Sequence, residues 1–331
     1  MQRADVQTVT ITGANGFIGS RVCRLLAANG YAIRIVCRKT SDLTQLADIP
    51  YTKIFADITD PDSLHAAVEN TDYIVHLAGL VKAKTADDYF RVNQGGTVNL
   101  LNAVKNCNLS LKKFVLISSL AAFGPSDDRP RKEDDAPNPL TTYGRSKLAG
   151  EESIQSYSDI IPITVLRPPG VYGPGDTEIF TLFDIVNKGF RPYMKGGHNK
   201  IQLVYVDDLA MAIKLAMETP KSRGRAYQIA HAEAHSSRDM LNGIGELLGK
   251  KGIGITIPGW LLNCIALLSE LFFRLIGHTP HFSREKVREL TTNWELDVSR
   301  AKDELGFEAA VDFKTGAAQT IDWYRREGWL K

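Results

Sequence analysis

Short, almost wholly apolar runs alternate with segments whose apolar residues recur every third or fourth position, and this alternation limits the fold more than any other feature of the chain. The runs cover residues 8–12, 32–37, 73–77 and 114–118, with a weaker one at 52–55. Helical periodicity occupies 17–28, 61–70, 87–106 and 141–156 between and after them, and Asp60 before Pro61 fits an N-cap with proline at the first helical position. Strands without a polar face are covered on both sides, so the pattern predicts an α/β fold built on a parallel, doubly wound sheet.

The rhythm weakens after residue 168. Residues 163–167 and 204–206 still read as sheet strands, 168–176 as a Pro/Gly loop, and a helix is expected from about Glu178. Helices are expected at 207–218, 237–248, 260–276, 298–305 and 313–327, forming a smaller, mostly helical lobe assembled from separated segments. No internal repeat is present, and the charged stretch 127–135 reads as a solvated loop.

Residues 8–20, TVTITGANGFIGS, place Gly13, Gly16 and Gly19 between the first strand and the first helix. Glycine there lets the chain turn tightly, approach a pyrophosphate with its backbone and pack helix against strand, while the helix N-terminus offers unpaired N–H groups to the anion. The turn, with Asn15, Phe17 and Ile18 inside it, is read as a dinucleotide cradle of a Rossmann-type fold, a purely structural turn being the alternative. On this reading residues 1–168, with 201–218 returning, form the dinucleotide-binding domain, and 169–331 form a discontinuous substrate-binding lobe. At the end of the second strand, where an acidic residue would hold free ribose hydroxyls, stand Arg38 and Lys39. A guanidinium suits a 2′-phosphate, so NADP(H) is preferred; NAD(H) stays open as the alternative in which Asp42 serves the ribose.

Other classes recede. Lys and Arg total 40 against 38 Asp and Glu in 331 residues, a net charge of +2 that gives no footprint for nucleic acid. Gly 27 and Pro 14 are too few for a collagenous or low-complexity chain. Cys23, Cys37, Cys107 and Cys264 form no CxxC pair and no metal-ligand spacing with the histidines, so no metal is expected. They read as buried small hydrophobes in a reducing compartment, and the polar first nine residues, with Arg3 and Asp5, lack a secretory apolar stretch, so a cytoplasmic protein is expected.

Residues 141–150, TTYGRSKLAG, put Tyr143 and Lys147 one turn apart on one helix face. A phenol with a pKa of roughly 10 is a poor base near neutrality, and an adjacent ammonium is the expected correction. Upstream, a strand delivers Ser118 and Ser119 at its carboxyl end, where ligands of open α/β sheets bind. Capping or turn chemistry at a strand end is the alternative for both serines, and for Ser118 it weighs as much as function.

Taken together, TGANGFIG, Asp57 in FADITD, HLAG at 76–79, Asn93 with Gly96 and Thr97, ISSLAAFG, Tyr143xxxLys147, RPPGVYGPGD and VYVDD resemble the extended short-chain dehydrogenases/reductases, the NAD-dependent epimerase/dehydratase family. The resemblance spans nearly the whole chain. It implies Tyr143 as acid/base, Lys147 as its partner that also holds the nicotinamide ribose, and Ser119 as the hydroxyl for the substrate oxygen. It further implies Asn93 near the active site, Asp57 and Ile58 beside adenine, and Leu77, Ala78 and Gly79 along the middle of the cofactor, with Ser118 beside it. Arg167, Pro168 and Val171 would form a loop over the nicotinamide. A homodimer through the 87–106 and 141–156 helices is implied by the same analogy. His76, inside a strand, reads as structural.

Within the family, Ile201 stands where sugar-nucleotide enzymes carry an arginine before VYVDD, with only Lys200 beside it, and 284–288 reads REKVR in place of their C-terminal Arg-Pro-Gly-Asp segment. That departure favours the dihydroflavonol reductase and 3β-hydroxysteroid dehydrogenase side. Residues 257–276 are nearly all apolar, but Asn263, Glu270 and Arg274 interrupt them, with Glu270 and Arg274 spaced as an i,i+4 pair. A buried helix lining an apolar pocket is expected, with interfacial membrane contact as the lesser alternative. The expected protein is an NADP(H)-dependent oxidoreductase interconverting a secondary alcohol and a ketone on a largely apolar small molecule. The alternatives are a sugar-nucleotide epimerase or dehydratase with tightly bound NAD, and a non-catalytic NADP(H)-sensing protein.

Overall fold

The computed structural model describes residues 6–275 and 282–331. Its first half runs β1 (Thr8–Thr12), α1 (Phe17–Ala28), β2 (Ala32–Cys37), β3 (Thr52–Phe55), α2 (His65–Val68), β4 (Tyr73–His76), α3 (Ala86–Tyr89), α4 (Gly96–Cys107), β5 (Lys113–Ile117), α5 (Leu120–Phe123), α6 (Thr142–Ser153) and β6 (Ile163–Arg167). The remainder runs β7 (Gly170–Tyr172), α7 (Phe180–Asn187), β8 (Phe190–Met194), β9 (Lys200–Ile201), β10 (Leu203–Tyr205), α8 (Val206–Glu218), β11 (Arg225–Gln228), β12 (His235–Ser236), α9 (Ser237–Leu248), β13 (Ile253–Ile257), α10 (Gly259–Leu275), α11 (Arg284–Thr291), α12 (Ser299–Leu305) and α13 (Phe313–Arg326).

A seven-stranded sheet in the order β11-β6-β5-β4-β1-β2-β3, parallel throughout, organises the chain. The period-two pleat divides neighbouring residues between two cores. Val115 and Ile117 of β5 join Val9, Ile35 and the α8 residues Leu209 and Ile213 on one face. Phe114 and Leu116 join Ile74, Val165 and the α4 residues Leu100 and Val104 on the other. The strand order reverses between β1 and β4, which opens a crevice at their carboxyl ends. A separate core of Phe183, Leu241, Ile244, Ile321 and Tyr324 binds α7, α9 and α13 together.

Several expected elements differ. Residues 204–206 were expected in the main sheet, yet β10 pairs instead with β7, a strand inside the expected 168–176 loop. The seventh strand is β11, whose sequence RAYQ carries too few β-branched apolar residues to stand out. The 87–106 helix is three pieces, with a π-helical turn at Phe90–Gly95 between α3 and α4. The 61–70 helix is a 3-10 turn, Pro61–Leu64, followed by the short α2, and Asp60 supplies no side-chain cap. α11 and the β8–β13 pair were not expected at all.

The buried-helix expectation for 257–276 is overturned. α10 buries Leu262 and Ala266 but leaves Trp260 67%, Leu268 67% and Phe272 58% exposed; among the described residues, α11 with Phe282 before it and the β8–β13 pair pack on its buried side. Glu270 pairs with Arg284 of α11; the side chain of Arg274 and residue Ile276 lie outside the described residues. Among the described residues no helix is long and apolar enough to cross a membrane. All the cysteines are free, but only Cys23 and Cys37 are buried; Cys107 is half-buried and Cys264 exposed on α10.

Candidate active site

The turn between β1 and α1 requires glycine for reasons visible in its geometry. Gly13 has φ +71°, and a Cβ there would lie 2.8 Å from the backbone nitrogen of Ala78. At Gly19 a Cβ would stand 2.1 Å from the Gly13 carbonyl oxygen, so α1 lies against its own approach turn. Gly16, the N-cap of α1, has no side chain with which to cap, so the first-turn N–H groups of Phe17, Ile18 and Gly19 lack a side-chain cap, with half-buried Asn15 just before them. This narrow, donor-lined bend fits the pyrophosphate of a dinucleotide. Leu77, Ala78 and Gly79 leave the end of β4 directly against it, tied back by the Ala78 N–H donating to Thr12 Oγ1 at 3.2 Å. Lys82, further along that loop, forms an ion pair of 2.8 Å with Glu178, joining it to the segment after β7.

The proton-transfer residues gather at the carboxyl end of β5. Ser119 caps α5, accepting from the Ala121 N–H at 3.1 Å, and its side chain favours the phenolate of Tyr143. Two glycines draw α6 close: a Cβ on Gly144 would sit 2.2 Å from the Ala121 carbonyl oxygen of α5, and one on Gly150 3.0 Å from that of Asn93. That contact sets where Tyr143 and Lys147 stand. Lys147 is buried and donates to the Ile117 carbonyl at 2.7 Å. Gly79 keeps the groove open beside it, since a Cβ there would lie 2.9 Å from Asn93 Oδ1 and 3.8 Å from Lys147 Nζ.

The expected depression of the Tyr143 pKa by Lys147 is not what the structure shows. Removal from water pushes the phenol up to about 12, outweighing the Ser119 hydrogen bond that favours the phenolate, and Glu289 and Tyr89 add to the rise. Lys147 turns its ammonium to a backbone carbonyl, so it is not among the groups acting on the phenol. Burial lowers Lys147 itself to about 8, against the opposing charge of Glu151. Ser118, next to Ser119, has a buried Oγ with no hydrogen-bond partner among the described residues.

Asn93 lies within the π-helical turn and spends its side chain on positioning. Its Oδ1 accepts from Leu80 N–H at 2.7 Å, and its Nδ2 donates to Leu80 O and to Ser146 Oγ. Ser146 in turn donates to the Tyr143 carbonyl. Asn93 is therefore a strut between the 77–85 loop and α6. His76 is likewise structural: its ring nitrogens meet Thr12 Oγ1 at 2.7 Å and Thr97 Oγ1 at 3.2 Å, and burial with the nearby Lys147 charge lowers its pKa to about 3.

At the far end of the groove Arg38 and Lys39 follow β2, both exposed. Asp57 is partly shielded from water, which opposes ionisation, yet hydrogen bonds from Thr59 N and Oγ1 and the charges of Arg38 and Arg91 hold its carboxyl below the usual range. Asp42 is occupied in the same way by Thr44 N and Oγ1. Ile58 packs under Gly96 of α4. Pro168 is buried, accepting from Leu120 N–H, and Val171 belongs to β7 and packs on the core beneath α1. Arg167 is the last residue of β6, and its guanidinium is committed to Glu151 at 2.6 Å and to the face of Phe123.

Sequence reasoning did not single out Glu151, Glu285 or Tyr89. Glu151 stands four residues after Lys147, a spacing that marks the same helix face. Glu285 of α11 accepts from the Thr142 N–H at 3.0 Å and pairs with Arg145 at 2.7 Å, fixing the start of α6. The Tyr89 ring lies 6.2 Å from that of Tyr143. A cavity of about 800 Å³ between α1, α8 and α13, lined by residues such as Arg21, Asp207 and Trp323, includes none of Ser119, Tyr143 and Lys147.

Comparison with known proteins places this geometry. The model of the NAD dependent epimerase/dehydratase family matches residues 9–230. Ceramide reductase of Caulobacter vibrioides (strain NA1000 / CB15N) is 28% identical over 323 residues, which cover 97% of this chain and 96% of that protein. The crystal structure of gox2253 is similar with a TM-score of 0.84 at 26% identity, covering 98% of this chain and 100% of that one. UDP-glucuronic acid 4-epimerase from Bacillus cereus, solved with UDP-glucuronic acid and NAD, has a TM-score of 0.78 at 25% identity over 97% of this chain and 100% of its own. With a glycine cradle at the sheet's switch point, a Ser/Tyr/Lys cluster beside it and a family match over most of its length, the chain belongs to the NAD dependent epimerase/dehydratase family of NAD(P)-dependent oxidoreductases.

Proposed function

We propose that the chain is an NADP(H)-dependent reductase and dehydrogenase acting between a ketone and a secondary alcohol on a largely apolar small molecule. The observation that carries this reading is the gathering of Ser119, Tyr143 and buried Lys147 at the carboxyl end of β5, where Gly144 lets α6 lie against α5 and Lys147 bonds the Ile117 carbonyl. A bound nicotinamide supplies the hydride in reduction and accepts it in oxidation. Ser119 orients the substrate oxygen, and the Tyr143 hydroxyl gives that oxygen its proton as it becomes an alcohol, or takes it back in the reverse direction. Lys147, buried with its Nζ on the Ile117 carbonyl and beside Gly79, would hold the nicotinamide ribose in the groove. Asn93 and Ser146 keep α6 and the 77–85 loop in register.

For the cofactor, the exposed guanidinium of Arg38 and the local engagement of Asp42 and Asp57 support a 2′-phosphate over a bare ribose. For the substrate, the likeness to a ceramide reductase and the isoleucine at 201, half-buried in β9, support an apolar molecule over a sugar diphosphate. The likeness to a UDP-glucuronic acid 4-epimerase supports the second reading, a sugar-nucleotide enzyme.

Following NADPH absorbance against a panel of long-chain ketones and of UDP-sugars separates the two. The reductase reading expects ketone-dependent oxidation of freely exchanging NADPH. Epimerisation of a UDP-sugar with retained NAD would overturn it. Tight NADPH binding with no turnover of any substrate would favour a sensor. Tyr143→Phe should lower kcat by about 100-fold or more while NADPH affinity stays within about threefold.

A further inference from the structure

The apolar side of α10 that was expected inside the protein faces outward, and its neighbours extend it. On the helix, Trp260, Leu261, Ile265, Leu268, Leu271 and Phe272 are all exposed, while Glu270, the acid within this stretch, pairs with Arg284 of α11. On the strands, the pleat sets Ile253, Ile255 and Ile257 on one face of β13, with Phe190 and Met194 of β8 at the register positions of Ile253 and Ile257. Ile257 and Met194 pack beneath α10, whereas Phe190, Ile253 and Ile255 remain exposed on that same side. A helix and a two-stranded ribbon thus present one continuous apolar surface, larger than scattered single exposed residues would give.

Its rim is cationic. Lys195 lies against Gly259 at the start of the helix, and Lys250 and Lys251 immediately precede β13. These lysines are exposed and make no ion pair among the described residues, while Glu270, the acid on the helix, is already neutralised by Arg284. We propose that this surface docks on an anionic lipid bilayer, with the α10 and β8–β13 side chains in the acyl boundary and the lysines at the headgroups. Tryptophan at the helix end and lysines around an apolar patch suit that boundary, where one side is apolar and the other wet and negatively charged. A second copy of the chain fits less well, since Glu270, the acid on the helix, is already paired with Arg284 and offers these lysines no partner across a twofold axis.

The docked helix is coupled to the site. Glu270 accepts from the Arg284 backbone at the start of α11, and the next residue, Glu285, holds the start of α6 just before Tyr143. The proposal rests on exposure and charge and not on the reductase reading; a protein that binds vesicles yet reduces no ketone would sink that reading alone.

Flotation of the full chain with vesicles of phosphatidylcholine, with and without phosphatidylglycerol, tests it. Binding should require the anionic lipid and weaken with salt. Leu268→Glu and Phe272→Glu should each lower partitioning by about tenfold, and Lys250→Glu with Lys251→Glu should remove the preference for phosphatidylglycerol, all with NADPH binding unchanged. Protein that stays with the unbound fraction at every composition overturns the proposal. So do vesicle binding indifferent to these substitutions, and a wild-type chain that binds no vesicle but whose dimer in sedimentation is lost in Leu268→Glu.

Discussion

His76 is enclosed by Thr12 and Thr97, and neither threonine can offer a charge to a second ring proton. With a folded pKa of about 3 against the ordinary 6.5, the folded chain binds fewer protons than the unfolded one between those values. Its contribution is therefore neutral above about 6.5, and stability is lost as pH falls from there toward 3. His76→Gln should lower the melting temperature at pH 7 by breaking the threonine links, yet flatten its decline between pH 6.5 and 4 relative to wild type; an unchanged acid slope would remove His76 from the account. Residues at helical spacing were the legible part of this site: Tyr143 and Lys147 lie one turn apart as read. What each side chain touches was not legible. Lys147 bonds Ile117, and Asn93 bonds Leu80, because tertiary packing chooses among partners distant in sequence.

Elements were readable where periodicity is strong and both faces are covered, as in β1, β2 and α1. Apolar spacing does not distinguish a continuous helix from one carrying a π-turn, so the break around Asn93 was invisible, and π-turns of this kind are frequent at functional sites. Nor does composition say which side of an apolar helix its neighbours cover, which is why α10 was read as buried. α11 had too few apolar residues to announce itself, yet Glu285 serves as an external cap on α6. Removing it with Glu285→Ala leaves the Thr142 N–H without its carboxylate and Arg145 without its ion pair. The expected loss is about 1 kcal/mol, seen as a fall of roughly 2–4 °C in melting temperature, with kcat falling more than KM rises if α6 shifts Tyr143.

The whole molecule is arranged so that every strand of the sheet ends at one edge, where the glycine turn, the 77–79 turn, the serines and the start of α6 meet. The fold class followed from the alternation of strands and helices alone; the arrangement after residue 168 did not, since apart from β11 its strands pair outside the main sheet in short, irregular segments. A ligand seated at that edge touches several crossovers at once. NADPH at about 100 times its Kd should therefore stabilise the native state by roughly 2.7 kcal/mol, readable as a rise in melting temperature. Gly13→Val, with its positive φ and the Ala78 backbone 2.8 Å away, should show no such rise at the same concentration.

Parallel topology also imposes an order in time. A ribosome releases β1 through β4, and with them the anion-accepting bend, well before Ser119, Tyr143 and Lys147 emerge, and β11, which flanks β6 at one border of the sheet, appears only after a further long stretch of polypeptide. A nascent chain halted between those points carries the groove's first wall without the hydroxyls and amine that would work against it.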